Sequence, residues 1–296
     1  MHGEPDHLPT AVEVTPSARD SNGALGGSGW ACCSLGGVPA GVMPGQAFGW
    51  VHVTVIAHLS DPHLDTSSGR LERLRRVVGE VEALEGVELM LVSGDLANHG
   101  SAEEYAQFFA VLPTSVPTLV VPGNHDHRES LRRYLPPGNS TKGLNAVVTV
   151  GGVTIIGLDT LIEGSDAGVL DAETLAFAER HIDAAPGLVL LAMHHPPVPV
   201  GHALMDQFGL GNPDDLAALV SRRDVVAACL TGHVHTALAT TFAGRPLVGA
   251  PGIVSTMRLG SKTDPIADGN AVPGFALHHL GASGHLSTIF HYLSPE

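Results

Sequence analysis

From residue 52 onward, short apolar runs alternate with segments whose apolar positions follow a helical period. Three runs are typical of buried strands: HVTVIAHLS (52–60), ELMLVS (88–93) and TLVVP (118–122). Three segments are predicted helices: RLERLRRVVGEVEALE (70–85), AEEYAQFFAVL (102–112) and RESLRRYL (128–135). The first helix places six apolar residues on one stripe: Leu71, Leu74, Val77, Val78, Val81 and Leu84. Strands that alternate with helices predict a parallel sheet covered by helices.

The second half of the chain combines hairpins with further strands and helices. Hairpins are predicted in AVVTVGGVTIIGLD (146–159) and GFALHHLGASGHLSTIFHYL (274–293). Further strands are predicted in GLVLLAMHH (187–195), VVAACLTGHVH (225–235), ALATTFAG (237–244) and PLVGAPG (246–252). Helices are predicted in AETLAFAERHI (172–182), which Asp171 can cap, and near 213–222. In the first half, Ser101 and Glu104 predict a capping box at the start of the helix 102–112. One α/β domain with a partly antiparallel sheet system follows.

The first fifty residues differ from the rest of the chain. They are rich in Gly, Ala, Ser and Pro and show no apolar period, so they cannot bury enough surface to offset the entropy of ordering. We therefore predict a disordered tail over 1–50 and a folded domain over 51–296. An over-extended translation start, with Met43 or Val51 as the natural first residue, would also explain this composition.

Composition and charge narrow the function classes. Hydrophobic residues make up 44% of the chain, which is enough for a core. The formal net charge of −15 argues against a nucleic-acid partner, because phosphate backbones are bound by basic surfaces. No apolar run is long enough to span a bilayer, and the start lacks a signal-peptide pattern, so no membrane association is expected. The three cysteines, Cys32, Cys33 and Cys229, have no disulfide-framework spacing, and we expect a cytoplasmic location.

Polar residues follow five of the predicted strands, at the point where each strand ends. The stretches are SDPHLD (60–65), SGDLANHG (93–100), GNHDH (123–127), AMHHPP (192–197) and TGHVH (231–235). In open α/β sheets, ligands bind outside the carboxyl ends of the strands, so these stretches can converge. Aspartate together with neutral imidazole suits manganese, iron, zinc or cobalt. With 18 histidines in the chain, the number of donors indicates two metal ions rather than one.

In this order, SDPHLD, GDLANHG, GNHD, HHPP and GHVH resemble the motifs of the calcineurin-like metallophosphoesterases. Within that superfamily the chain looks most like bacterial class III cyclic-nucleotide phosphodiesterases and their glycerophosphodiesterase relatives. The stretch MDQFGLGNPDDL (205–216) further resembles the cyclic-AMP branch. The resemblance implies an α/β fold of four layers, an αββα sandwich with a mixed sheet system. It also implies a dinuclear metal centre at one edge.

The resemblance assigns roles residue by residue. The first metal would be held by Asp61, His63, Asp95 and His235. The second metal would be held by Asp95, Asn124, His194 and His233, so that Asp95 bridges. The substrate would be bound by Asn124, His125, His195 and His235. His125 would be the catalytic acid, with His127 left at the surface. At position 98 many relatives carry an aspartate that orients this histidine, whereas this chain has Asn98, which can also accept a hydrogen bond.

These assignments imply a hydrolase with two divalent or trivalent transition-metal ions, iron and manganese being favoured and zinc or cobalt being alternatives. A hydroxide that bridges the ions would attack a 3′,5′-cyclic nucleotide, cyclic AMP first, and release a nucleoside 5′-monophosphate. An alternative substrate is a glycerophosphodiester or another small phosphodiester or phosphomonoester. A non-catalytic scaffold is disfavoured because all seven proposed ligands are present. The family also favours a homodimer.

Overall fold

The computed structural model describes residues 52–136, 143–259 and 266–294. The predicted disordered tail over 1–50 lies outside these residues and stays a prediction. The described α-helices are α1 (Ser68–Ala83), α2 (Ala102–Val111), α3 (Arg128–Arg132), α4 (Ala172–Ala184) and α5 (Pro213–Val220). Within the described ranges, no helix has both the length and the apolar character needed to cross a lipid bilayer.

The strands of the described residues form two mixed sheets and one short ribbon. The first sheet has the spatial order β13 (Leu286–Tyr292), β12 (Gly274–Gly281), β1 (Val53–Leu59), β2 (Leu89–Val92) and β3 (Thr118–Val120). The second has the order β4 (Ala146–Val150), β5 (Val153–Gly157), β6 (Val189–Ala192), β7 (Val226–Thr231), β9 (Arg245–Gly249) and β8 (Leu238–Phe242). The ribbon pairs β10 (Thr256–Met257) with β11 (Ala267–Asp268). Parallel pairing joins β1, β2 and β3, and also β5, β6, β7 and β9, with antiparallel strands outside them.

In the part of the chain that the structure describes, three apolar clusters hold four layers together. Alternation along β2 sends Leu89 and Leu91 between the two sheets, where they meet Ile155 and Leu190. The intervening residues of β2 face α1 and α2 in a second cluster, and the outer face of the other sheet packs against α4 and α5 in a third. The layers are therefore helix, sheet, sheet and helix, and the predicted αββα sandwich is confirmed.

The helix caps predicted from the sequence are also confirmed. Ser101 Oγ accepts the Glu104 N–H at 3.3 Å, and the Glu104 carboxylate accepts the Ser101 N–H at 2.9 Å. Asp171 Oδ1 accepts the Thr174 N–H at 2.7 Å. Four residues of the predicted α1 stripe are buried: Leu74, Val77, Val78 and Val81. Leu84 is 39% exposed because α1 ends at Ala83 and the next residue is extended.

A chain of hydrogen bonds between side chains crosses the first sheet. His278 on β12 lies 2.8 Å from Thr288 Oγ1 and 3.1 Å from the ring of His58 on β1. His58 in turn lies 2.8 Å from Ser93 Oγ, next to the end of β2. Both histidines are fully buried. Burial lowers the pKa of His278 to about 3 and holds the pKa of His58 well below its usual range, so both imidazoles are neutral at neutral pH.

The stability of the fold is expected to fall as the pH drops below about 6.5. The unfolded chain binds protons on these two histidines near that pH, whereas the folded chain does so only at much lower pH. Each group can cost up to about 1.4 kcal/mol of unfolding free energy per pH unit. Melting temperatures of wild type and His278→Asn, measured from pH 7.5 to 5, should show a flatter acid side for the variant. An equal fall of melting temperature with pH in the two proteins would contradict the assignment of this pH dependence to His278.

Candidate metal centre

Seven polar residues predicted as ligands follow strands that end at one edge of the sandwich. Asp61 and His63 follow β1, Asp95 follows β2, Asn124 follows β3, His194 follows β6, and His233 and His235 follow β7. The first four come from the first sheet and the last three from the second. The fold thus brings together side chains that lie up to 174 positions apart in the sequence, counted from Asp61 to His235.

The first group contains Asp61, His63, Asp95 and His235. One ligand atom of each lies within 4.8 Å of those of the others. His63 Nε2 is 3.2 Å from Asp95 Oδ2 and 3.0 Å from His235 Nε2. All but His235 are buried, and His235 is partly buried. Two carboxylates and two imidazoles at these spacings match the donor set predicted for one transition-metal ion.

The second group shares Asp95 with the first. His194 Nε2 lies 3.4 Å from Asp95 Oδ2, 3.1 Å from Asn124 Oδ1 and 3.2 Å from His233 Nδ1. The same carboxylate oxygen of Asp95 therefore contacts an imidazole of each group. This is the position that a bridging ligand requires. The carboxylate's other oxygen, Oδ1, accepts the His125 N–H at 2.9 Å, which fixes the orientation of the carboxylate.

Backbone conformation distinguishes most of the predicted ligands from ordinary loop residues. Five of them have positive φ angles between 45° and 72°: Asp61, His63, Asp95, His233 and His235. This region is sparsely populated by residues other than glycine, and such strain concentrates at functional sites. Glycines allow the loops to approach closely, since a Cβ at Gly94 would overlap the His194 ring and one at Gly123 would overlap Asp95. The local backbone is therefore shaped for the positions of these side chains.

Buried polar atoms without partners test whether the residues present fit metal ions. Among the described residues, none hydrogen-bonds to Asp61 Oδ1 or His233 Nε2, although both atoms are buried. Asp61 Oδ1 lies 3.4 Å from His235 Nε2 but not in hydrogen-bond geometry. A buried carboxylate oxygen or imidazole nitrogen left unpaired is costly, and metal coordination is one way to satisfy it. The donor set fits two transition-metal ions.

Burial and neighbouring charges shift the pKa values of the carboxylates and imidazoles of the centre. Burial alone would raise the pKa of Asp95, but His194 and His63 outweigh it and hold that pKa well below its usual range. Burial would lower the pKa of His194, yet Asp95 and Asp61 raise it to about 9. Burial, together with His194, lowers the pKa of His233 to about 3. Asp95 and Asp61, whose pKa is lowered by His235, are thus ionised at neutral pH, as ligands must be, whereas His194 has to lose its proton when it binds a metal ion.

The ring nitrogens that face away from the centre have partners of their own. His194 Nδ1 donates to the Ser93 carbonyl at 2.7 Å, which leaves Nε2 directed at Asp95. His235 Nδ1 lies 2.7 Å from Ser255 Oγ. Such partners fix the tautomer and ring orientation of ligating histidines. Sequence reasoning missed Ser93 and Ser255, and Ser255 lies outside every motif that it used.

The side chains of the turn GNHDH (123–127) lie in different surroundings and make different contacts. Asn124 lies beside His194, and His125 is exposed toward the centre with its ring centroid 4.6 Å from that of His63. Asp126 is buried and accepts hydrogen bonds from the backbone N–H groups of residues 96, 97 and 123. His127 is exposed, as predicted. Sequence reasoning missed Asp126, which ties this turn to the loop that carries Asp95.

His125 is oriented by the backbone of Asn98 rather than by its side chain. His125 Nδ1 donates to the main-chain carbonyl of Asn98 at 3.0 Å, rather than to its side chain. Asn98 Oδ1 instead accepts a hydrogen bond from Arg70 at 2.8 Å. The Arg70 guanidinium also donates to the His63 carbonyl and pairs with Asp65. The side chain at position 98 therefore supports the loop through Arg70, while the backbone holds His125.

His195 is placed differently from the other predicted substrate contacts. It is fully buried, lies 2.7 Å from Thr160 Oγ1 through Nδ1, and donates from Nε2 to the Asp166 carbonyl at 3.2 Å. Burial, with the neighbouring His194 and His233, holds its pKa well below the usual range, so the ring is neutral. Direct binding of substrate by His195 stays a prediction. Its two hydrogen bonds favour a positioning role beside His194.

Within the described residues, the centre opens onto a larger and a smaller cavity that share His63, His125 and His235. The larger, of about 860 Å³, is lined on one side by three arginines of α1: Arg70, Arg73 and Arg76. The smaller, of about 270 Å³, is lined by metal-centre residues, by Asp166 and by apolar side chains from two other segments. A small anionic ester could reach the centre through either cavity despite the acidic charge of the whole chain.

Comparison with known proteins decides the family. The model of the calcineurin-like phosphoesterase family matches residues 54–237. The chain belongs to this family. A 3′,5′-cyclic adenosine monophosphate phosphodiesterase, CpdA of Pseudomonas aeruginosa, is 32% identical over 79% of this chain and 88% of its own length. A glycerophosphodiester phosphodiesterase, GpdQ of Enterobacter lignolyticus, is 29% identical over 68% of this chain and 77% of its own length.

Solved structures agree on the fold. A dimetal phosphatase from Danio rerio superimposes with a TM-score of 0.59 at 14% identity, covering 82% of this chain and 99% of that chain. At this identity the similarity bears on the architecture alone. It confirms the predicted fold class independently of the motifs, because so few residues are shared.

Proposed function

We propose that this phosphoesterase is a two-metal phosphodiesterase that hydrolyses 3′,5′-cyclic nucleotides, with cyclic AMP as the preferred substrate. The observation that carries the proposal is the position of Asp95, whose Oδ2 lies between the two ligand groups, 3.2 Å from His63 and 3.4 Å from His194. CpdA and GpdQ are both phosphodiesterases by name, and the name of CpdA specifies cyclic AMP.

One ion would be held by Asp61, His63, Asp95 and His235, and the other by Asp95, Asn124, His194 and His233. Two such ions supply Lewis acidity for activating water and for stabilising charge on the phosphoryl group. The mixture of carboxylate and imidazole donors suits manganese, iron, zinc or cobalt, and among these the family resemblance favours iron and manganese. The protein's own contribution is a fixed, largely buried donor set whose outward ring nitrogens are held by Ser93 and Ser255.

His125 would act on the substrate rather than on a metal. Its exposed side chain lines both cavities, and its Nδ1 is engaged by the Asn98 carbonyl, which leaves Nε2 available to a substrate. From there it could contact the phosphate and protonate the departing ribose 3′-oxygen. Asn124, His195 and His235 were predicted alongside it as substrate contacts, and of these Asn124 and His235 line the same cavity.

The alternative substrate is a glycerophosphodiester. It is favoured by the similarity to GpdQ, whose name specifies that activity. A phosphomonoester would also fit the metal centre, although CpdA and GpdQ are both diesterases by name. The same donor set serves all three ester classes, so only turnover can separate them.

We expect purified protein to contain two equivalents of transition metal and to hydrolyse cyclic AMP to 5′-AMP. Metal content by mass spectrometry should be measured first, before and after chelation and reloading with Mn²⁺, Fe²⁺, Zn²⁺ or Co²⁺. Values of kcat/KM should then be compared for cyclic AMP, cyclic GMP, 2′,3′-cyclic AMP, glycerophosphoethanolamine and an aryl phosphodiester.

The order of these kcat/KM values distinguishes a cyclic-nucleotide phosphodiesterase from a glycerophosphodiesterase and from a scaffold. A higher kcat/KM for glycerophosphoethanolamine than for any cyclic nucleotide would transfer the assignment to the alternative. A protein that takes up no metal and turns over none of these esters would be a scaffold.

The remaining features of the proposal concern partners and location. We infer a small-molecule substrate and no nucleic-acid partner, since the formal charge is −15. A cytoplasmic location and a homodimer stay predictions. Light scattering of the purified protein would show whether it is a homodimer.

A further inference from the structure

The smaller cavity beside the metal centre has two chemically different parts. Its floor is formed by buried groups such as Asp95 and His233, which are 2% and 6% exposed. Its rim is formed by the exposed carboxylate of Asp166 and by apolar side chains, most of them more exposed than the floor: Leu204, Met205, Phe208, Met257 and Ile266. With metal ions held at the floor, the cavity suits a ligand that is anionic at one end and apolar at the other.

Two separate segments supply the apolar rim. One is a 3₁₀ turn, Met205–Gln207, in the connection between β6 and α5. It is held by the Val200 N–H, which donates to Asp206 Oδ1 at 2.7 Å, and by the Asp206 N–H, which donates to the His202 carbonyl at 2.9 Å. The other is the β10–β11 ribbon, in which Met257 pairs with Ala267. The rim is thus built from two anchored elements around the same space.

Leu204 is the rim residue with the most exposed side chain, at 45%. A single exposed leucine is normal on a protein surface. Here it shares one cavity with Phe208 and two methionines, beside the charged ligands of the metal centre. Apolar surface grouped at the mouth of a polar site marks a place for an apolar part of a ligand.

We propose that this rim binds the nucleobase of the substrate while the cyclic phosphate lies at the metal centre. The inference rests on the proposed function and extends it by naming the residues that select the base. A nucleobase presents flat apolar faces, which stack on aromatic side chains and pack well against thioether sulfur. Leu204, Met205, Phe208 and Met257 would cover those faces, so an ester without a base would gain nothing from them.

The test compares cyclic AMP with 1-deoxyribose 3′,5′-cyclic phosphate, which has the same ester and no base. Stacking of one base is worth a factor of roughly 5 to 150 in affinity. Wild type should therefore prefer cyclic AMP in kcat/KM. In Leu204→Ala and Phe208→Ala, the ratio of the two kcat/KM values should fall about tenfold, mainly through a higher KM for cyclic AMP.

Leu84→Ala is the matched control. Leu84 is 39% exposed just after α1 and lies outside the cavity, so the ratio should equal that of wild type. An equal loss on both esters in the rim variants would show a structural role and overturn the inference, as would an unchanged ratio. If metal-loaded wild type hydrolyses neither ester, the proposed function fails and the base site fails with it. If wild type prefers cyclic AMP but the ratio of the two kcat/KM values is unchanged in the rim variants, the base site is wrong and the proposed function stands.

Discussion

Replacing Asp95 with asparagine is expected to deplete both metal positions and to lower turnover on every ester by at least about 10³-fold. Each ion would lose the charge of the ligand that it shares with the other, and Lewis-acid catalysis supplies several kcal/mol of transition-state stabilisation. Asparagine keeps the shape of the side chain and tolerates the positive φ of 52° at this position. The loss therefore reports on charge and coordination rather than on a damaged backbone. Metal analysis and kcat/KM on cyclic AMP measure the two effects.

Asn124→Ala is the comparison that makes this result specific. Asn124 contacts His194 of the second group, and Asp95 contacts both groups. The Asn124 variant should weaken mainly one position and retain close to one equivalent of metal. Equal metal loss in the two variants would refute the bridging role of Asp95.

His125→Ala is expected to keep both metals and to lose about 10²- to 10⁴-fold in turnover on cyclic AMP, the usual contribution of a general acid. A ribose 3′-oxygen is a poor leaving group and benefits from protonation, whereas p-nitrophenolate leaves without such help. The loss on a p-nitrophenyl phosphodiester should therefore be much smaller. Rates on both substrates and metal content are the measurements.

His127→Ala provides the control, because this histidine lies in the same turn and is exposed. Its side chain lies 3.7 Å from Glu163 and contacts no predicted ligand within the described structure, so turnover should not change. Loss of metal in His125→Ala would make that residue a ligand. Equal losses on the two esters would make it a phosphate-binding group rather than an acid.

The sequence predicted the layers and the edge at which the predicted ligands meet because both depend on patterns that repeat along the chain. Apolar runs marked the strands, and polar residues at strand ends marked the edge, since parallel strands point their carboxyl ends the same way. The hairpin at Gly151-Gly152 followed from the same local rules, and β4 and β5 pair across it.

What the sequence could not predict depends on contacts between distant segments. The partner of His125 is a main-chain carbonyl, and every residue has one, so the identity of Asn98 carried no information about that bond. Asp126 looks in the sequence like another donor for the centre, yet Tyr105 and three backbone N–H groups surround its buried carboxylate. Ser255 lies 20 positions from His235 in an ordinary loop, and only the folded chain brings the two together.

The division of each ligand group between two sheets has a consequence for the order of folding. Asp61 and Asp95 belong to the first sheet, while His194, His233 and His235 belong to the second. Neither sheet alone carries a complete donor set, so high-affinity binding has to wait until the sheets have docked. Contacts this distant in sequence form late and slowly, because a long loop must close first. Bound metal would then stabilise the native state after the rate-limiting step, slowing unfolding while leaving the rate of folding nearly unchanged.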